Sequence, residues 1–256
     1  MRNFMRNLFT REIDFLLGKA IRSQAPVSAV EALIDLGANP NKVTSGDLTR
    51  WGNSNCLPLF TAVNLSRACG YDVAVAHCLL DHGAEVNRQA ARGYQTPLHQ
   101  AVDFSLELTQ RLLKLGAEEV FEMPSGHSPL HQAAYWCKLE VVELLLDAGF
   151  SVDGYVPYKA GVSSGQTPLQ TLMAIPPTSE EDQMKTIDLL LERGADQYLG
   201  TAGPESLCAV EIAMKLIQQM KSGPDLNATS EEFKAKGAIR FARALKVAHR
   251  VTGNTL

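Results

Sequence analysis

Residues Gly126 to Asp153 read GHSPLHQAAYWCKLEVVELLLDAGFSVD, and this stretch decides the fold. Ser128 is placed to cap a helix. Pro129, at the first helical position, already has the required φ and lacks only an amide that would be orphaned there anyway. Leu130 begins a buried face, and the small Ala133 and Ala134 let the helix lie close to its neighbours. A second helix is predicted over Leu139–Asp147, because Val141, Leu144, Leu145 and Ala148 recur at three- and four-residue spacing. Gly149 supplies the left-handed residue that ends it. The stretch reads as helix, turn, helix and connecting loop.

Both halves of this phrase recur. Leu57-Pro58-Leu59-Phe60, Thr96-Pro97-Leu98-His99 and Thr167-Pro168-Leu169-Gln170 join Ser128-Pro129-Leu130-His131 at spacings of 39, 32 and 39. The Leu-rich end recurs before Gly37, Gly83, Gly116, Gly149 and Gly194, at spacings of 46, 33, 33 and 45. Two phrases locked in alternation, with a basic period near 33, imply stacked supersecondary units.

The pattern GxTPLHxAA followed by VVxLLLxxGAxxN resembles the ankyrin repeat, and Gly126–Asp153 departs from it mainly at Cys137, where the family has Gly, and Phe150, where it has Ala. The resemblance implies an all-α ankyrin-repeat solenoid with β-hairpin finger loops and a long C-terminal capping helix. About six helix-turn-helix units are expected, near 10–41, 56–87, 91–120, 123–153, 165–197 and 204–251, forming a single ankyrin-repeat domain over 1–256. Phe15 to Asn41 reads as a degenerate first unit, and Cys208-Ala-Val-Glu-Ile-Ala213 opens a sixth whose second helix is Ser230 to Val251. The resemblance also places the inner helices and fingers on a concave side, and no unit buries its apolar face alone.

Composition fits an ordinary globular chain: 256 residues, 45% hydrophobic and 20% charged, which excludes disordered and collagen-like classes. The net charge is −4, but residues 37–219 carry twelve basic and twenty-one acidic groups, whereas residues 220–256 carry seven and three. Any charged partner of the middle section is therefore expected to be basic. No run of 18 apolar residues is present, so no membrane span is expected, and MRNFMRNLFTREIDF lacks the features of a secretory signal. Arg2, Arg6 and Arg11 hint at a mitochondrial presequence, but the segment is short and Ser-poor, which favours a capping helix. Five cysteines without a CxxC pair read as free thiols in a reducing, cytoplasmic setting, which silences the Asn64 and Asn227 sequons.

Departures from the period point to function. Asn41 to Cys56 takes fifteen steps and Asp153 to Thr167 fourteen, against eight from Val120 to Ser128, so the first and fourth fingers are expected to protrude. Leu57 to Gly83 takes 26 steps and Thr167 to Gly194 takes 27, against 21 from Ser128 to Gly149. The helix-to-helix turns near Ser66–Asp72 and Pro176–Glu181 are accordingly expected to be enlarged.

Chemical signatures are sparse. Gly161-Val162-Ser163-Ser164-Gly165 satisfies GxSxG but lacks the strand before and the suitable helix after it, so a flexible finger is the favoured reading. His127 and His131 stand four apart without a cysteine or carboxylate at ligand spacing, and by the resemblance His131, like His99, makes structural hydrogen bonds to the finger backbone. His77, Cys78 and His82 suggest no site, and neither GxGxxG, a Walker phrase nor HExxH occurs. No catalytic residue, cofactor or metal is expected.

Tyr135 and Trp136 are the sharpest candidates, since they occupy consecutive positions at the end of an inner helix that the family leaves variable and turns to the concave groove. Asp103, Phe104, Asn64 and Ala174 hold equivalent places in other units. With the finger residues Trp51, Arg92, His127, Tyr155, Tyr158 and Lys159, they make up the expected protein-binding surface. Exposed aromatics at such places are typical interface anchors; the alternative is that Trp136 or Phe104 fills a gap against the next unit. Lys234, Lys236, Arg240, Arg243, Lys246 and Arg250 read as the solvated face of a C-terminal cap. The expected function is a monomeric, non-catalytic protein-protein interaction module for one basic or amphipathic protein partner, acting as inhibitor, immunity-type antitoxin or adaptor. No small-molecule substrate and no nucleic acid are expected. The alternatives are a secreted host-directed effector, a hydrolase using Ser163, and nucleic-acid binding through the basic C-terminal helix.

Overall fold

The structure, a computed structural model, describes residues 2–45, 55–89, 95–121, 125–155, 165–173, 179–200, 207–212 and 214–215. The chain divides into two compact units, 1–122 and 123–256.

In the first unit, helix α1 (Arg2–Arg22) packs on α2 (Val27–Asp35) and on α3 (Pro58–Cys69). Two short strands, β1 (Thr44–Ser45) and β2 (Asn55–Cys56), pair antiparallel with Thr44 opposite Cys56, closing the base of the first finger. Helix α3 packs on α4 (Val73–Asp81) and on α5 (Pro97–Ala101), and α5 packs on α6 (Leu106–Lys114). The result is an inner row α1–α3–α5, with α2 beside α4 in an outer row. The apolar periodicity explains the rows: Leu17 and Ile21, Ala62 and Val63, Leu98 and Ala101 are fully buried on the inner helices, as are Leu79, Leu108 and Leu112 on the outer ones.

In the second unit, α7 (Pro129–Tyr135) packs on α8 (Leu139–Asp147) and on α9 (Pro168–Met173), while α10 (Glu180–Glu192) packs on α8 and α9. Leu130, Ala133, Ala134, Leu145, Leu169, Ile187 and Leu190 are wholly buried there. Helix α8 spans the predicted residues, and Gly149 ends it at φ +89°, a conformation that costs a residue with a Cβ. Residues 209–212 are helical and open a further layer. Its predicted second helix, Ser230 to Val251, lies outside the described residues.

At two junctions of the first unit a single side chain ties successive layers together. Asn41 donates to the Gly83 carbonyl at 2.9 Å and accepts the Glu85 amide at 2.7 Å. Asn87 repeats this on Gly116 and Glu118, at 2.8 and 2.9 Å. Each Asn thus satisfies one donor and one acceptor left over at a helix end.

The enlarged turn near Ser66–Asp72 is corrected by the structure. Helix α3 has 12 residues against 7 in α7, so the extra chain near Ser66 continues the inner helix. Ser66 is buried within it and donates to the Ala62 carbonyl at 3.0 Å. Nothing in PLFTAVNLSRAC breaks a helix until Gly70, which caps it at φ +69°. Helix α10 has 13 residues against 9 in α8 and starts at Glu180, so the end of the stretch Pro176–Glu181 is helical, while residues 174–178 lie outside the described residues. Ser179 caps it by accepting the Asp182 amide.

Candidate functional site

The N-termini of α5, α7 and α9 are built alike. In α7, Ser128 and His131 form a capping box, in which the Ser128 side chain accepts the His131 amide and His131 Nδ1 accepts the Ser128 amide at 3.0 Å. Because a backbone amide can only donate, Nδ1 is the bare nitrogen and Nε2 carries the proton. Nε2 then donates to the Gln166 carbonyl at 2.7 Å, in the segment leading into α9. Thr96 and His99 form the same box at α5. In α9, Gln170 performs both jobs with an amide: Oε1 accepts the Thr167 amide at 2.8 Å, and Nε2 donates to the Leu199 and Leu207 carbonyls. Glu211 does the capping half again, accepting the Cys208 amide at 2.8 Å. His131 is therefore a fully buried structural group.

That rigid start aims the far end of α7. Tyr135 is its last residue and Trp136 its C-cap, and the two are 39% and 42% exposed although Leu130, His131, Ala133 and Ala134 in the same helix are buried. Their rings meet edge to face, with centroids 4.8 Å apart and planes at 70°. Each ring restrains the other, so the pair presents a preformed aromatic surface. His127 lies half-buried before the helix, its ring stacked on that of His131 at 5.2 Å. Tyr155 is half-buried at the start of the fourth finger. Trp51, Arg92, Tyr158 and Lys159 lie outside the described residues, as does Ser163.

The equivalent positions of the first unit are engaged differently. Asp103 accepts from Arg67 Nε at 2.6 Å, and Arg67 also reaches Gln100 Oε1 at 3.3 Å. The Asp103 side chain is only 10% exposed, and its Oδ1 is buried without a hydrogen-bond partner among the described residues. Asn64 and Phe104 are half-buried. Arg67 was missed by sequence reading; its signal is that it lies three residues beyond Asn64, on the same face only if α3 continues as helix.

Charge in the second unit is one-sided. The described residues from 125 to 215 include four basic and eleven acidic groups. Among the bases, Arg193 binds Asp147 at 2.6 Å and Glu143 at 3.3 Å, and Lys185 binds Glu181 at 2.6 Å. On the outer helices of the first unit, burial and then the carboxylates of Glu31, Asp81 and Asp35 push the Cys78 thiol up, away from the reactive thiolate. His82 Nδ1 donates to the Cys78 carbonyl at 2.8 Å, and His77 Nδ1 accepts from Arg111 at 2.8 Å. Among the described residues no group of three His, Cys, Asp or Glu side chains could hold a metal ion, and no helix is long and apolar enough to cross a membrane.

A family model described as ankyrin repeats (3 copies) matches residues 59–155. Those residues carry the capping boxes and the Asn87 hook. Residues 59–155 of this chain are ankyrin repeats. Among solved structures it is similar to the ankyrin repeat domain of Bcl-3, described as a unique member of the IkappaB protein family, with 23% identity and a TM-score of 0.57 over 77% of this chain and 76% of that one. At that identity the likeness concerns the fold. Comparison with curated proteins gives no match. Within the ankyrin framework, Tyr135 and Trp136 occupy positions the repeat itself does not prescribe, which separates them from the buried Pro-Leu-His scaffold.

Proposed function

We propose that this protein is a non-catalytic interaction module that takes hold of one protein partner with the inner-helix ends and fingers. In this reading Tyr135 and Trp136 are the anchors, with His127 and Tyr155 and the finger residues Tyr158 and Lys159 of the same unit as their surround; Asn64, Asp103 and Phe104, with Trp51 and Arg92, are the contact positions of the first unit. The observation that carries it is the exposure of two consecutive, mutually restrained aromatic rings at the end of a helix whose Leu130, His131, Ala133 and Ala134 are buried. Aromatic side chains held rigid before binding lose little entropy on association, and such residues dominate interface energetics. The excess of acidic groups in the second unit favours a basic or amphipathic partner, chiefly through the rate of encounter. A module of this kind acts by occupying or masking its partner, as an inhibitor, an immunity-type antitoxin or an adaptor in the cytoplasm.

The test is affinity capture from the native lysate with wild-type protein and with the Tyr135→Ala/Trp136→Ala double variant, followed by titration of what is retained. The double variant should bind the captured partner at least about 2 kcal/mol more weakly while keeping a folded spectrum. Equal affinity of the two proteins would place the interaction elsewhere.

A further inference from the structure

The N-terminal helix carries a second surface, independent of the reading above. The face of α1 that packs on α2 and α3 is the line Ile13, Asp14, Leu17, Gly18 and Ile21, all buried. Its anchoring is specific, since Asp14 accepts the Asn39 amide at 2.8 Å. On the opposite face Glu12, Phe15, Leu16 and Lys19 are exposed. They stand at i, i+3, i+4 and i+7, which is one continuous helical stripe. Phe15 and Leu16 are 47% and 46% exposed, side by side. Two adjacent apolar side chains left in water at the centre of a charged stripe mark an interaction surface, so this apolar centre calls for an occupant.

The stripe is complementary to itself. It is acidic at one end, basic at the other and apolar between. If two copies of α1 cross antiparallel about a two-fold axis between residues 15 and 16, Phe15 falls opposite the second copy's Leu16 and Glu12 opposite its Lys19. Both contacts then occur twice, as an isologous interface requires. Arg11 falls opposite Ala20, so no like charges meet. A parallel crossing would set Glu12 on Glu12 and Lys19 on Lys19, which charge repulsion disfavours. We infer that the exposed face of α1 is a self-association surface, occupied by α1 of a second copy of this chain in antiparallel register. Its apolar centre supplies the attraction and the two end pairs set the direction, the same division of labour seen between core and flanking positions of paired helices.

The experiment is sedimentation analysis of the full chain over a concentration series. Wild type should show a concentration-dependent monomer–dimer equilibrium. Glu12→Lys alone and Lys19→Glu alone each place like charges at both ends, and each should weaken self-association by about tenfold or more. An equimolar mixture of these two variants should recover a dimer, because in the mixed pair every end contact again joins opposite charges. Leu16→Ser should weaken association without being rescued by mixing. All three positions are exposed, so circular dichroism should be unchanged throughout. A wild type that stays monomeric to about 100 μM overturns the inference. So does a dimer indifferent to the single charge reversals, or a mixture that fails to recover.

Discussion

The two carboxylate oxygens of Asp153 accept one and the same backbone amide, that of Asp196, at 3.1 and 3.0 Å. Asp153 stands where Asn41 and Asn87 stand in earlier layers, four residues after the helix-ending glycine. An ionised carboxylate can copy only the accepting half of their role. It has no proton to give the Gly194 carbonyl, the counterpart of the Gly83 and Gly116 carbonyls that Asn41 and Asn87 satisfy.

Replacing Asp153 by Asn should therefore stabilise the protein, by about 1 kcal/mol at pH 7 for one added hydrogen bond. Burial pushes the Asp153 carboxyl above its ordinary value; the Asp196 amide pulls it down and the Asp196 carboxylate adds to the rise. With the folded value raised, the native state holds its proton more tightly than the unfolded chain. The stability that proton confers is present in full below the unfolded value and is lost as pH rises through the folded one. The advantage of Asp153→Asn should accordingly shrink on acidification toward about pH 4, the ordinary carboxylate range. Urea midpoints at several pH values measure this, and a pH-independent difference would contradict it.

His131→Gln should be mild and His131→Ala severe. Gln170 shows that an amide can cap its own helix and reach the next loop at the same site of the repeat. We expect a loss below about 1 kcal/mol for Gln, and about 2 to 3 kcal/mol for Ala, which removes a cap and a buried hydrogen bond together. Denaturant unfolding of both variants decides it; equal losses would mean that the ring acts by packing alone.

Cys137 lies at φ +51°, a left-handed conformation, where the ankyrin pattern has Gly. Such a backbone costs a residue with a Cβ about 1–2 kcal/mol, partly offset in glycine by its greater entropy loss on folding. Cys137→Gly should gain roughly 0.5 to 1 kcal/mol by thermal or chemical unfolding. The converse holds at Gly149, whose φ is +89°: Gly149→Ala should lose more than Gly154→Ala, since Gly154 is not among the glycines at positive φ. Equal midpoints for that pair would show that the helix end tolerates a Cβ.

Leu145 is fully buried on α8, a helix packed against both α7 and α10. Leu145→Ala should cost about 2 to 5 kcal/mol from lost transfer energy and the cavity left behind. A loss below about 1 kcal/mol, in the range of surface substitutions, would be incompatible with that packing.

Sequence alone determined the local grammar of this protein: where α7 and α8 begin and end, that Leu130 and Leu145 are buried, and that Gly149 turns left-handed. Each of these rests on interactions within a few residues, such as the Ser128–His131 box, so a short window contains the whole cause. The stripe it drew on α8 nevertheless included Ala148, which is exposed, and omitted Val142, which is fully buried. Sequence also marked Tyr135 and Trp136, because the repeat leaves their positions unassigned. Tertiary structure alone decided how extra residues are absorbed. The same insertion near Ser66 is compatible with a longer turn or a longer helix; burial of Ser66 in α3, with Tyr71 donating to the Ala25 carbonyl of the neighbouring layer at 2.6 Å, selects the helix. That choice places Arg67 against Asp103, 36 residues away, and turns a candidate surface carboxylate into half of an ion pair. It was likewise only packing on α2 and α3 that left Phe15 and Leu16 outside, because a helix of mixed composition shows which face is buried only when its neighbours are in place.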